Sequence, residues 1–330
     1  MSLFVRLGCL LCLTVVGCEK KSETPAEAPA KAFDLTRPTV DIRIGAILMQ
    51  QDQFFRANEA GMKAAAKEFG ATMTAQNATG ALDKEISLVE SLINQQVRAI
   101  VISPLSEKAS VNALKKAHDA GIKIVTYNNS IDADFPACTV ASDQSEIGAS
   151  TGRAVVEYVR KHRKGKANIA IIGFASQLPE QGNARLEGFK REIANLPGIK
   201  IVAEQDAWIA SKAAEVVSEL LVKKPDIIWG ANEGATVGAV TAVRNAGKAG
   251  KIVVFGTDVS KQIIEFLMAD DKILRAVTAQ RPRDMGYLAM EAAIRASKGK
   301  SMDSKKVVPV ELFQRGDDAR LKAYLRSLDQ

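Results

Sequence analysis

The chain has 330 residues, with 45 Lys and Arg against 38 Asp and Glu, which gives a formal net charge of +7. Its basic residues are scattered, and the one basic cluster, at 161–166, lacks the interleaved aromatic residues on which single-stranded nucleic acid stacks. Outside the first 17 residues, the two His and the two remaining Cys show no zinc-ligand spacing. These features argue against a nucleic-acid partner and against a bound metal.

The first 17 residues are typical of a secretory signal peptide. Arg6 precedes an apolar run, Leu7–Val16, that is too short to cross a bilayer. Cys18 directly follows Val-Val-Gly, and this sequence resembles the bacterial lipobox, in which the cysteine receives lipid and becomes the new N-terminus. Residues 18–39 are rich in charged residues, Pro and Ala, so we expect a disordered, lipid-anchored linker outside the cytoplasm, in the periplasm or at the cell surface. An ordinary signal peptide that contains a cysteine is the alternative.

From residue 43 onward, short β-branched runs alternate with longer amphipathic segments. This alternation predicts an α/β fold of parallel sheets covered by helices on both faces. Only Cys138 would remain in the mature body, so the fold must depend on hydrophobic cores, of which about 290 residues can supply two. The predicted strands are Arg43–Met49, Thr72–Ala75, Ala99–Ser103, Lys123–Tyr127, Cys138–Ala141, Asn168–Ile172, Lys200–Ala207, Ile227–Trp229, Ile252–Gly256, Arg275–Ala279 and Val307–Phe313.

Polar and aromatic side chains follow the predicted strands where a parallel sheet binds its ligands, beyond the carboxyl ends. The inventory is carboxylates, amides, one guanidinium and aromatic rings, without a nucleophile–base pair, and no Gly-rich phosphate loop follows the first strand. We therefore predict neither a nucleotide cofactor nor an enzyme. Carboxylates and amides suit hydroxyl groups, and flat rings suit the C–H faces of a sugar. The residues are Asp52, Phe54, Phe55, Asn128, Asn129, Arg185, Trp208, Asn232, Asp258 and Gln280, of which Arg185 alone comes from the front of a predicted helix.

Several short motifs occur in a characteristic order and spacing. They are Asp52-Gln-Phe54-Phe55, Thr126-Tyr-Asn128-Asn129, Asn183-Ala-Arg185-Leu-Glu-Gly188-Phe189, Gly256-Thr-Asp258 and Thr278-Ala-Gln280. In these motifs the chain resembles the type I periplasmic sugar-binding proteins of the ribose and glucose/galactose group, from about Asp41 to Arg315. It departs from many ribose-type members, which carry Asp-Arg where Asn128-Asn129 stands here.

The resemblance implies a role for each site residue. Phe54 and Trp208 would sandwich a sugar ring and Phe55 would line the pocket. The polar groups would come from both lobes and bind hydroxyls: Asp52 and Asn128 from the first, Arg185, Asn232 and Asp258 from the second, and Gln280 near the hinge. Simpler interpretations stay open: Phe54 and Phe55 as core residues, Asp258 as a helix N-cap, Arg185 paired with Glu180 or Glu187, and Asn129 in a turn.

The resemblance also implies an architecture and a partner. Two doubly wound parallel-sheet lobes, 40–142 plus 281–308 and 143–280 plus 309–330, would be joined by a three-strand hinge and would close around a sugar or polyol. The chain would then be a monomeric binding lipoprotein that delivers its ligand to an ABC transporter permease. A binding protein for a chemoreceptor or sensor kinase and a non-sugar polyhydroxylated ligand are the alternatives. A sugar-responsive repressor is rejected because residues 1–40 hold no helix-turn-helix, whereas Asp52 and Asp258 leave a glycoside hydrolase formally open.

Overall fold

The computed structural model describes residues 41–328. The predicted signal peptide, the lipidation site Cys18 and the linker lie outside the described residues. Within residues 41–328, no helix is both long enough and apolar enough to cross a membrane.

The described residues alternate between strands and helices along most of the chain. The strands are β1 (Ile42–Leu48), β2 (Ala71–Asn77), β3 (Ala99–Ile102), β4 (Lys123–Tyr127), β5 (Cys138–Ala141), β6 (Ala167–Gly173), β7 (Ile199–Asp206), β8 (Ile227–Gly230), β9 (Val253–Thr257), β10 (Leu274–Ala279), β11 (Lys305–Val307) and β12 (Glu311–Gln314). The helices are α1 (Gln53–Glu68), α2 (Leu82–Asn94), α3 (Val111–Asp119), α4 (Gln144–His162), α5 (Pro179–Ile193), α6 (Ala210–Leu220), α7 (Glu233–Asn245), α8 (Lys261–Met268), α9 (Pro282–Ser297) and α10 (Asp318–Leu328).

The strands form two six-stranded sheets. The first has the order β11-β5-β4-β3-β1-β2 and is parallel throughout. The second has the order β12-β10-β9-β8-β6-β7 and is parallel except for its edge strand β12, which runs antiparallel to β10. The predicted fold class, an α/β protein with two doubly wound parallel-sheet lobes, is confirmed.

Each sheet is covered on both faces, as its apolar strands require. In β3, Ala99 and Val101 belong to one hydrophobic cluster and Ile100 and Ile102 to another, so successive side chains enter opposite layers. The strand β6 of the second sheet divides in the same way, with Ile169 and Ile171 in one cluster and Ala170 and Ile172 in the other. Four clusters, two for each sheet, therefore form the core of the described residues.

One predicted element is wrong. The run Val307–Phe313 was predicted as one strand, but the structure divides it into β11 and β12, which belong to different sheets. Pro309 lies in the break, and a proline cannot donate a backbone hydrogen bond to a sheet ladder. The chain passes between the sheets at this point, and it also does so between β5 and β6 and between β10 and β11.

Two helix pairs, α1 with α9 and α4 with α5, cross at glycines. At each of four glycines, an added Cβ would lie about 2 Å from a backbone oxygen of the facing helix, although real Cβ contacts essentially never fall below 3.0 Å. The four contacts are Gly61 on Arg283 (1.9 Å), Gly286 on Asn58 (2.0 Å), Gly148 on Arg185 (1.9 Å) and Gly188 on Ser145 (2.0 Å). The two pairs share the same local geometry, one on each sheet. In the second pair, the contacted oxygen belongs to a predicted ligand residue, Arg185.

Candidate binding cavity

A cavity of about 380 Å³ lies at the carboxyl ends of strands from both sheets, and its size is within the range typical of small-molecule sites. Nine of the ten predicted site residues line it. They follow strands β1, β4, β7, β8, β9 and β10 or, for Arg185, lie on helix α5. These nine are Asp52, Phe54, Phe55, Asn128, Arg185, Trp208, Asn232, Asp258 and Gln280.

Two of the polar lining residues are helix N-caps, which fixes where their side chains lie. An Asp52 carboxylate oxygen accepts the backbone N–H of Phe55 (3.0 Å) at the start of α1, and its other oxygen accepts the Gln50 amide (2.6 Å). The Asn232 side-chain oxygen accepts the Ala235 N–H (2.9 Å) at the start of α7, and its amide donates to the Trp208 carbonyl (2.9 Å). Capping thus holds both groups at the strand ends, because the cap residue stands between strand and helix.

Arg185 is buried, with 3% of its surface exposed, and its guanidinium contacts three groups. Its Nε donates to the Gln144 side-chain oxygen (2.7 Å), its Nη1 donates to the Ala231 carbonyl (2.9 Å), and Nη1 lies 3.7 Å from a carboxylate oxygen of Asp258. Burial lowers the pKa of Arg185, while the negative charge of Asp258 opposes that effect. The ion partner of Arg185 is therefore Asp258 and not the alternative partners Glu180 or Glu187.

Asp258 joins the guanidinium to two further groups. One of its oxygens accepts the Glu233 N–H (3.2 Å) and the other accepts the Gln280 amide (3.3 Å). It does not cap α8, because Ser260 occupies that position and accepts the Ile263 N–H. The carbonyl oxygen of Gln280 is buried and has no donor within residues 41–328.

Two lining residues adopt a left-handed backbone at equivalent places in the two sheets. Asn128 has φ +61° directly after β4, and Asp258 has φ +68° directly after β9. In each case the backbone N–H donates to the carbonyl of the neighbouring strand, to Val140 from Asn128 (3.0 Å) and to Thr278 from Asp258 (2.9 Å). Asn and Asp tolerate this conformation better than most residues. Such backbone strain is common at functional sites.

The aromatic lining residues are held by other rings. Phe54 and Phe55 pack edge to face with centroids 5.2 Å apart, and Trp208 tilts against Phe174 at 5.5 Å. Phe55 is buried in the first sheet's core, so the core interpretation holds for most of its surface. Phe54 and Trp208 are only partly buried, although both also contact the core. Both rings line the cavity.

Asn129 is the predicted site residue that the structure does not place on this cavity. Its amide donates to the Pro104 carbonyl (2.8 Å), and its side-chain oxygen accepts from the amides of Asn128 (3.0 Å) and Gln181. It lines a neighbouring pocket instead. Gln181, on α5, also reaches the Asn128 carbonyl (3.4 Å), so this side chain connects the two halves of the protein.

The structure adds lining residues that the sequence reasoning missed, among them Gln181, Glu233 and Tyr324. Burial raises the pKa of Glu233; the Ser260 hydroxyl bond opposes this, and the charges of Asp258 and Asp52 raise it further. Burial and then the charges of Glu233 and other carboxylates raise the pKa of Tyr324 to about 12. Glu233 directly follows Asn232 after β8, so the strand-end rule could have found it. Tyr324 lies on the C-terminal helix α10, and no motif marks it.

Two parallel sheets whose strand ends share one cavity define the architecture of type I periplasmic binding proteins. The sequence model of the family described as periplasmic binding protein domain matches residues 45–301. The ABC transporter periplasmic-binding protein YphF of Escherichia coli (strain K12) is 31% identical over 85% of this chain and 88% of its own length. The D-ribose/D-allose-binding protein of Pseudomonas aeruginosa is 32% identical over 79% of this chain and 85% of its own.

Solved structures give the same result. An ABC transporter periplasmic solute-binding protein from Actinobacillus succinogenes 130z, with bound D-allose, has a TM-score of 0.77 and 27% identity, covering 86% of this chain and 99% of that one. The chain belongs to the periplasmic binding protein family, as its motifs indicated.

Proposed function

We propose that this chain is an extracytoplasmic substrate-binding protein that captures a sugar or sugar-like polyol in the cavity and delivers it to an ABC transporter permease. The observation that carries the proposal is the meeting of nine polar and aromatic side chains, from both sheets, around one cavity at the strand ends. Relatives described as ribose- or allose-binding proteins support the ligand class.

The cavity chemistry fits a polyhydroxylated ring. Asp52, Asp258 and the free oxygen of Gln280 accept hydrogen bonds from hydroxyl groups, while Arg185 and the amides donate to hydroxyl oxygens. Phe54 and Trp208 offer ring faces to the C–H surfaces of the ligand. In this proposal each half of the protein supplies part of the hydrogen-bond set.

The proposed lobes are 40–142 plus 281–308 and 143–280 plus 309–330, joined where the chain passes three times between the sheets. Helix α9 packs on α1 and on strands of the first sheet, which supports its place in the first lobe. A ligand held by both lobes favours the closed form, and shifting a mostly open population to mostly closed needs about 5 kcal/mol of differential affinity. A few charge-assisted hydrogen bonds, at about 1.5–3 kcal/mol each, supply it.

A titration series tests this function. The full-length protein in detergent is heated with and without pentoses, hexoses and polyols, and a true ligand raises the melting temperature because it binds only the folded state. Asp258→Asn should weaken the shift, whereas Glu215→Gln, on the exposed face of α6, should leave it unchanged. Absence of a shift with every compound, or turnover of chromogenic glycosides, would contradict the proposal.

The lipid anchor is part of the same proposal. Lipidation of Cys18 would hold the monomeric protein at the membrane beside its permease. Cys18→Ser should therefore release the protein from the membrane fraction of cells. A variant that still sediments with membranes would refute the anchor without affecting the binding function.

A further inference from the structure

The cavity carries a charge opposite to that of the whole protein. The chain is basic, with a formal net charge of +7, but within residues 41–328 the charged residues that line the cavity are three carboxylates against one guanidinium. The carboxylates belong to Asp52, Glu233 and Asp258 and the guanidinium to Arg185. With every group ionised, the wall carries a formal charge of −2. Clefts of one sign concentrate ligands of the other sign.

The positively charged group of the wall, the Arg185 guanidinium, already interacts with groups of the protein. The guanidinium of Arg185 is directed to the Gln144 oxygen (2.7 Å), the Ala231 carbonyl (2.9 Å) and the Asp258 carboxylate (3.7 Å). It therefore compensates the charge of Asp258. The carboxylates of Asp52 and Glu233 accept hydrogen bonds from neutral donors instead.

These neutral donors are the Phe55 N–H and the Gln50 amide for Asp52, and the Ser260 hydroxyl for Glu233. Within residues 41–328, neither Asp52 nor Glu233 has a Lys or Arg nitrogen within 4.0 Å. A buried or half-buried carboxylate without a cation is costly, because neutral hydrogen bonds replace only part of its hydration.

A second observation points the same way. Gln280 lines the cavity with 7% of its surface exposed, and its carbonyl oxygen has no donor among the described residues. The opposite end of this amide is fixed, because its nitrogen faces an Asp258 carboxylate oxygen at 3.3 Å and a carboxylate can only accept. The cavity thus has an excess of acceptors, both charged and neutral, and its ligand must bring donors.

We infer that the ligand is an amine-bearing sugar or polyol, whose ammonium group is held by the carboxylates of Asp52 and Glu233 while its hydroxyls donate to acceptors such as Gln280. An ammonium group supplies three hydrogen-bond donors and one positive charge, so it balances both the excess of acceptors and the excess of negative charge on the wall. The inference rests on the proposed function, and it narrows the ligand class from neutral polyols to aminated ones. By the same argument, uronic acids and sugar phosphates are excluded.

Calorimetric titration of the full-length protein in detergent tests the inference. The probes are neutral pentoses and hexoses, their amino-deoxy derivatives with the amine at each carbon in turn, the N-acetylated forms and the uronic acids. We expect one aminated sugar to bind at least tenfold more tightly than its neutral parent, about 1.4 kcal/mol, and N-acetylation to abolish the gain. Added salt should reduce the preference.

Substitutions of the wall carboxylates then show which side chains bind the amine. Glu233→Gln and Asp52→Asn should each reduce the ratio of amine to parent affinity at least threefold, whereas Glu215→Gln, which removes the same charge on the exposed helix α6, should preserve it. If Asp52→Asn loses the α1 cap and fails to fold, Glu233→Gln and the salt dependence decide alone.

The possible results distinguish a failure of the amine inference from a failure of the proposed function. Neutral sugars that bind as tightly as every aminated derivative would overturn the inference and leave the proposed function standing. A preference for amines that Glu233→Gln does not change would also overturn it. No binding by any sugar would contradict the proposed function itself.

Discussion

The glycine crossing between α4 and α5 makes a sharp prediction for Gly148→Ala. The new Cβ would lie 1.9 Å from the Arg185 carbonyl oxygen, so one helix must retreat by more than 1 Å to reach the 3.0 Å limit. Overpacking costs about 1–3 kcal/mol, and the upper end applies because the contacted atom is backbone. The better helix propensity of Ala returns about 1 kcal/mol. We expect a net loss of about 2 kcal/mol in the free energy of unfolding and a melting temperature lower by several degrees.

The same substitution should weaken ligand binding. Gln144 and Gly148 lie one turn apart on α4, and Gln144 holds the Nε of Arg185 at 2.7 Å, so separating α4 from α5 stretches that bond. We expect affinity to fall at least tenfold, about 1.4 kcal/mol, measured by calorimetry with a ligand found in the thermal screen. The matched control is Gly61→Ala, whose Cβ meets the Arg283 carbonyl at the same 1.9 Å on the other sheet.

Gly61→Ala should lose similar stability but much less affinity, because Arg283 does not line the cavity. Urea unfolding measures the free energy of unfolding of each variant. Equal losses of affinity in the two variants would refute the coupling through Arg185. Wild-type stability in Gly148→Ala would refute the packing argument.

Three further predictions concern other parts of the molecule. Trp208→Ala should weaken ligand binding at least tenfold in calorimetry, and because Trp208 also contacts the core it should lower the melting temperature by a few degrees; unchanged affinity would exclude ring stacking. Gln181→Ala removes the contacts to Asn128 and Asn129, so the ligand-free protein should have a larger radius of gyration in X-ray scattering than the Glu180→Ala control. Burial raises the pKa of Glu85 above its usual 4.5. The contribution of the protonated Glu85 carboxyl to the free energy of unfolding is therefore complete below pH 4.5 and is lost as pH rises through the folded-state pKa. Unfolding experiments should find that loss in the wild type and not in Glu85→Gln.

The fold could be predicted from the sequence because its signals are local and repeated. Runs such as Ile169-Ala-Ile-Ile are typical of strands buried on both faces of a parallel sheet covered by helices, and the structure puts their side chains into two core layers. The break in Val307–Phe313 was missed because apolar residues continue across it. Pro309 was the available signal, since proline is excluded from the interior of a sheet.

Most of the candidate site could be predicted because it follows strand ends, whereas Arg185 lies on α5 and was indicated by its motif. The strand-end rule placed eight residues on one wall, but it treated Asn128 and Asn129 alike, although the left-handed backbone at Asn128 turns the chain and the Asn129 amide donates to Pro104. A ligand contact for Asn129 stays a prediction. Tyr324 approaches the cavity from α10 through tertiary packing, which no local pattern encodes.

The left-handed backbone at Asn128 and Asp258 limits how such a cavity can diversify. Asn, Asp and Gly adopt this backbone conformation at lower cost than β-branched or bulky residues, so we expect them to be favoured at both positions. Gln280 and Glu233 have no such restriction, since neither has a positive φ. Adaptation to a new nutrient, in nature or by protein engineering, should therefore keep the two turn residues and vary the wall between them.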